Sequence, residues 1–175
     1  QSFYRCVTGL DQLIAQKQRQ VAAIVQKNQQ QGQHPQPIPS HKEFLLDPNV
    51  TSLFDMIAQT LRATAPGSRT EAAHSFAQRV FNRMVERRAE PIAVHAYTRV
   101  LGVLRDENCV GLLELITKWA FSLVSGTQGS GLPHNQPAAS RLLDVLVPTT
   151  LISARLLELS KYDQYLANQI PRNLS

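Results

Sequence analysis

The sequence predicts an all-α fold, and three observations carry that reading. Apolar residues recur at steps of three and four through nearly the whole chain. No alternating strand pattern or Asn-Gly hairpin interrupts them, and Pro, Ser and Asp stand where helices would start. About eight helices in series, joined mostly by short turns, fit one domain over residues 1–175. Short turns favour antiparallel neighbours.

Phe3, Val7, Leu10, Ile14, Val21 and Ile24 predict one long amphipathic helix over residues 3–27, with Lys17 breaking the stripe. Residues 28–41 are rich in Gln and Pro, cannot build a packed core, and read as a flexible surface loop. After Asp47-Pro48 a second helix carries Val50, Leu53, Phe54, Ile57, Ala58 and Leu61, and it ends before Pro66-Gly67. Ser68 and Glu71 have capping-box spacing, which predicts a third helix with Ala72, Ala73, Phe76, Ala77, Val80, Phe81, Met84 and Val85 on its apolar face. Pro91 suits the first turn of a fourth, in which Ile92, Ala96, Tyr97, Val100, Leu101 and Leu104 face the core.

Following a polar turn at residues 106–108, a fifth helix runs from Cys109, with Leu113, Ile116, Ala120 and Leu123 on its face and Trp119 and Phe121 widening it. A second flexible loop is predicted over 125–136. Pro137 opens a sixth helix bearing Leu142, Leu143 and Leu146, and Pro148 interrupts it. Thr149 or Thr150 can cap a seventh with Leu151, Ile152, Leu156, Leu157 and Leu159, and Ser160 with Asp163 starts an eighth with Tyr162, Tyr165, Leu166 and Ile170. Eight successive wide apolar faces suit a two-layered, HEAT-like stack of antiparallel pairs better than an up-and-down bundle.

The net charge of +5 is unevenly placed. Residues 62–105 hold eight arginines, no lysine and three acids. Arg79, Arg83 and Arg87 follow one another at i, i+4 and i+8, with Arg88 beside them. Like charges in such a row repel by roughly a few tenths of a kcal/mol per pair, so either Glu86 and Glu90 screen an ordinary solvated face or the row awaits an acidic protein or a phosphate backbone. Both readings stay open.

Other chemistry is absent from the pattern. The five histidines are scattered without metal-ligand spacing, and His95 reads as a packing residue. Residues 126–131 are Gly-rich but lack the Lys-Ser/Thr of a phosphate-binding loop, and no Gly-x-Ser-x-Gly elbow occurs. Cys6 and Cys109 match no redox or metal motif and read as buried thiols in a reducing compartment. Asn49-Val50-Thr51 and Asn173-Leu174-Ser175 fit the glycosylation pattern, which is short enough to arise by chance. No run of about 18 apolar residues could span a bilayer, and a chain opening on Gln1 reads as a piece of a soluble protein. The expectation is a non-enzyme with no cofactor.

Tyr97-Thr98-Arg99-Val100-Leu101, then Leu112-Leu113-Glu114-Leu115-Ile116-Thr117-Lys118-Trp119, and above all Tyr162-Asp163-Gln164-Tyr165-Leu166-Ala167 behind a Leu-rich helix form one series. Over residues 76–170 it resembles the connector segment of the Not scaffold family of the CCR-NOT deadenylase complex. The resemblance implies a MIF4G-like stack of HEAT-like helix pairs. It also implies a non-catalytic role in mRNA deadenylation and translational repression, as a spacer or protein-docking module among the subunits of that complex. The implied compartment is the cytoplasm, with the nucleus as a second. The alternative is a MIF4G-like module that binds RNA or a helicase through Arg79, Arg83, Arg87 and Arg88.

Overall fold

The computed structural model describes residues 2–31, 34–107, 110–125 and 132–146. They form seven helices and no strand: α1 (Ser2–Gln31), α2 (His41–Leu46), α3 (Pro48–Ala63), α4 (Pro66–Glu86), α5 (Pro91–Asp106), α6 (Leu112–Ser125) and α7 (Asn135–Asp144). The two helices expected beyond Pro148, with the Tyr162 to Ala167 motif, lie outside the described residues, as do Cys109 and the Gly-rich run at 126–131.

The long helix extends past its expected end at Lys27 to Gln31. Residues 28–31 of the expected loop are thus helical, and Asn28 binds the chain that follows. Its Nδ2 donates to the Gln36 carbonyl at 2.9 Å and its Oδ1 accepts from the Gln36 N–H at 2.8 Å. Helix α2 corrects the other end of that loop. The Ser40 hydroxyl accepts from the Glu43 N–H at 3.4 Å, Glu43 sits at the positive end of the helix dipole, and Phe44 is buried as the anchor.

Proline sets the next starts. Helix α4 begins at Pro66 with Ala65 as N-cap, two residues before the expected Ser68–Glu71 box, and the Ser68 N–H donates to the Ala65 carbonyl at 2.9 Å instead. A proline at the first helical position has its φ preset and no N–H to leave unpaired, so a capping side chain is dispensable there. Gly111, with φ of 75°, turns the chain into α6, and its carbonyl accepts from the Leu115 N–H at 3.2 Å. That conformation favours glycine and places the start at Leu112 rather than Cys109. Helix α7 starts at Asn135, behind His134 at φ 69°, and takes Pro137 into its first turn.

Helix α5 lies at the centre. It packs against α1, α2, α3, α4 and α7, and eleven of its residues are buried, including Tyr97, Leu101 and Leu104 with no exposed surface. Around it Val7, Leu10 and Ile14 of α1, Ile57 and Leu61 of α3, Phe76, Val80 and Met84 of α4, Ile116 of α6 and Leu142 of α7 join one continuous hydrophobic core. Phe81 stacks on Trp119 with ring centroids 4.7 Å apart, which joins α4 to α6. Truncating Leu101 to Ala leaves a cavity in the most enclosed helix and should cost about 3 kcal/mol in urea-induced unfolding, with m unchanged.

Candidate functional site

The arginine row follows the outer face of α4 toward its C-terminus, and its members meet different surroundings. Arg87, the residue that ends α4, turns inward. Its Nε donates to Glu90 Oε2 at 2.9 Å, its Nη1 to the Tyr97 hydroxyl at 3.0 Å and its Nη2 to Gln18 Oε1 at 3.2 Å. The Gln18 amide closes the ring by donating to Glu90 Oε1 at 2.8 Å. Tyr97 donates in turn to Asp11 of α1, which also accepts a charge-assisted hydrogen bond from Arg83. Helices α1, α4 and α5 are thereby joined through one satisfied polar network at the edge of the core.

The protonation preferences follow from these contacts. The hydrogen bond from Arg87 holds the Glu90 carboxyl below its usual range against the opposing effect of burial, and Glu90 fixes Arg87 more firmly as a cation. Burial, reinforced by Asp11, pushes the Tyr97 phenol up to about 12, so it remains a donor at any ordinary pH. Arg88 donates from Nη1 to the Val85 carbonyl at 2.7 Å and from Nε to the Pro133 carbonyl at 3.4 Å, which fastens the chain ahead of α7.

Arg79 differs. It is exposed, its guanidinium lies over the Tyr4 ring at 4.4 Å, and no carboxylate pairs with it among the described residues. The stripe predicted as three equivalent charges is therefore one open cation and two engaged ones.

The rest of the arginine-rich stretch works in the same way. Arg62 grips Glu107 through two nitrogens, Nε at 3.0 Å and Nη2 at 2.5 Å, and joins the ends of α3 and α5. Arg69 donates to the Arg62 and Thr64 carbonyls at 3.0 and 3.1 Å and so caps α3. Arg105 is buried, with Nη1 on the Val145 carbonyl at 2.7 Å and Nη2 on Asp106 at 2.7 Å. Seven of the eight arginines between 62 and 105 thus contact another group of the chain, and the charge excess serves largely to fasten the fold.

A second feature went unforeseen in the sequence. His41, the first residue of α2, stacks face to face on His95 of α5, with centroids 3.6 Å apart and planes 4° from parallel. Burial, then His41 and Arg141, push the His95 imidazole down to about 4, with Asp144 opposing. Burial, then Lys42 and Arg141, also lower His41. Two rings packed this closely cannot both accept protons cheaply. Cys6 is buried, and desolvation raises its thiol, as suits a packing residue.

The third feature is apolar. Phe121 is 62% exposed, and with Val124, Leu132 and Leu143 it lines a cleft of about 750 Å³ between α6 and α7. Leu113, expected in the core, lies exposed on the same side. Helix α6 turns Ile116, Trp119 and Leu123 inward and leaves the opposite flank open, so its apolar surface is wider than the core it meets.

Among the described residues no group of three or more His, Cys, Asp or Glu side chains could hold a metal ion, and no helix is long and apolar enough to cross a membrane. No protein-family model matches the chain, and neither a curated protein nor a solved structure does so.

Arg87→Ala leaves Tyr97, Glu90 and Gln18 short of a partner and should cost about 2 kcal/mol, whereas Arg79→Ala should stay within about 1 kcal/mol, both measured by chemical denaturation. The folded state binds a proton at His95 less readily than the unfolded state, so its contribution is present above about pH 6.5 and is lost as pH falls toward 4. The thermal midpoint should therefore decline across that window, and His95→Phe, which keeps a stacking ring on His41, should flatten the decline. Glu90 adds a loss at lower pH, because its depressed carboxyl stabilises the fold only while ionised.

Proposed function

We propose that the chain is a non-catalytic helical scaffold module that acts as a spacer and protein-docking surface. Following its resemblance to the Not scaffold family, we place it in a cytoplasmic assembly for mRNA deadenylation and translational repression. The observation that carries this reading is the use of the arginines. Arg87 is engaged through all three of its nitrogens by Glu90, Tyr97 and Gln18, Arg83 is paired with Asp11, and Arg88 is anchored on the Val85 and Pro133 carbonyls, so the row is committed largely to contacts within the chain rather than presented as a track for phosphates.

Rigidity supports the same reading. A module that sets distances between neighbours needs helices locked to one another, and the network from Asp11 to Glu90 provides that lock. The HEAT-like, MIF4G-like stack belongs to this proposal too. It is supported by the packing of α4 on α5 across a short connection and by that of α6 on α7, while α5 gathers those pairs into a shared core.

The competing RNA- or helicase-binding reading rests on Arg79, which has no carboxylate partner. The two separate by salt. A labelled oligoadenosine titrated against the chain at about 50 and about 200 mM salt should form no saturable complex. A saturable complex that weakens steeply over that range, and that Arg79→Glu with Arg88→Glu abolishes, would overturn the docking reading. In the assembled complex, crosslinks from this chain should run to protein subunits rather than to RNA.

A further inference from the structure

Side chains of α1 and α4 around Phe3 line a cleft of about 190 Å³. Its base is apolar. Phe3 and Phe76 stack with centroids 4.5 Å apart, and Val80 continues the floor. Its rim is cationic, formed by Arg79 over Tyr4 and by Arg83 beyond. A cavity of roughly 150 Å³ lined by apolar side chains accommodates a benzene ring, so this space suits one bulky apolar side chain.

Arg79 gives the cleft its selectivity. The Arg79 guanidinium carbon lies over the Tyr4 ring, 4.4 Å from its centroid, so the cation is held beside the cleft. An exposed guanidinium held at a ring and without a carboxylate of its own keeps donors for an incoming carboxylate, and the contact with the ring restricts side-chain freedom that binding would otherwise remove. On the same stretch Arg83 and Arg87 already have carboxylates, Asp11 and Glu90, whereas Arg79 has none. The surrounding field has the matching sign. Helix α1 carries four basic residues and one acidic, and residues 62–105 carry eight and three.

We infer that this cleft captures a short acidic segment of a partner protein, with one aromatic or leucine side chain seated on Phe3 and Phe76 and an adjacent Asp or Glu paired with Arg79. The chemistry favours a peptide over a nucleic acid. Binding of a single strand needs successive open aromatic faces along a basic track, but the exposed Tyr4 ring is occupied by Arg79 and the remaining rings form the floor. This inference rests on the docking reading above and narrows it to a surface and a partner class.

Random short peptides displayed on phage and panned against the full chain test it. The enriched sequences should place Asp or Glu within a few positions of Phe, Trp, Tyr or Leu. A synthetic peptide of the leading sequence should lose about tenfold or more in affinity to Arg79→Gln, and similarly to Ala72→Trp, which fills the cleft without removing charge. Circular dichroism confirms that each variant is folded, and Arg141→Gln, on α7, is the control that should change nothing. Failure to enrich any peptide, enrichment of sequences without acid, or binding indifferent to both variants would overturn the inference while leaving the scaffold reading to its crosslinking test. If an oligoadenosine competes for the cleft more tightly than the peptide, both readings fall together.

Discussion

Helix α5 has almost no face that water can occupy. Its residues from Ala93 to Arg105 are buried almost throughout, Arg99 being the exposed exception, and a helix apolar on all sides is stable only when enclosed. Five other helices meet that requirement, and the remaining architecture follows from how they reach it. Helices α1, α3, α4 and α7 pack on it, and the short α2 does so with Phe44 as its buried anchor. Enclosure alone would permit many rotations of these helices. Tyr97 restricts them, because a phenol placed inside α5 must find a donor and an acceptor, and Arg87 and Asp11 meet it from two different helices.

The arginines of residues 62–105 therefore act mostly as connectors between elements. Arg62 joins α3 to the end of α5, Arg69 caps α3, Arg88 reaches Pro133, and Arg105 reaches the end of α7. A guanidinium suits this task because its several donors can satisfy carbonyls and carboxylates from more than one helix at once. Arg79 stands out against that pattern as an arginine of the same stretch held by an aromatic face instead of an anion.

Much of the fold was legible because helical periodicity and proline punctuation are local signals. Ile57, Leu61, Phe76, Val80, Met84, Leu101 and Ile116 all lie in the core where their spacing placed them. Helix α2 was not read, although Ser40 and Glu43 have the spacing of a capping box, because six residues hold too few turns to show a period. The same motif at Ser68 and Glu71 misled, since Pro66 had already begun the helix. The candidate site was the least legible part. Spacing puts Arg83 and Arg87 on one stripe, but their partners Asp11 and Gln18 lie 72 and 69 residues away, and nothing in local sequence encodes such a meeting. Leu113, Phe121 and Leu143 show the converse: apolar type and helical spacing suggested burial, whereas the side chains stand open beside the α6–α7 cleft.

The length of α1 has a mechanical meaning. Cys6, Val7, Leu10 and Ile14 are buried, but over residues 15–30 no side chain is fully so, and the second half of the helix runs on past the buried part of the core for about 24 Å, half-buried or exposed. Gln18, bonded to Glu90 and Arg87, braces it near its base, and Asn28 clips the returning chain to its far end. Such an arm is a lever. A tilt of about 10° at the base would displace the tip by about 4 Å, so the bonds of Gln18 to Glu90 and Arg87 fix the position of the far end as well as that of the base.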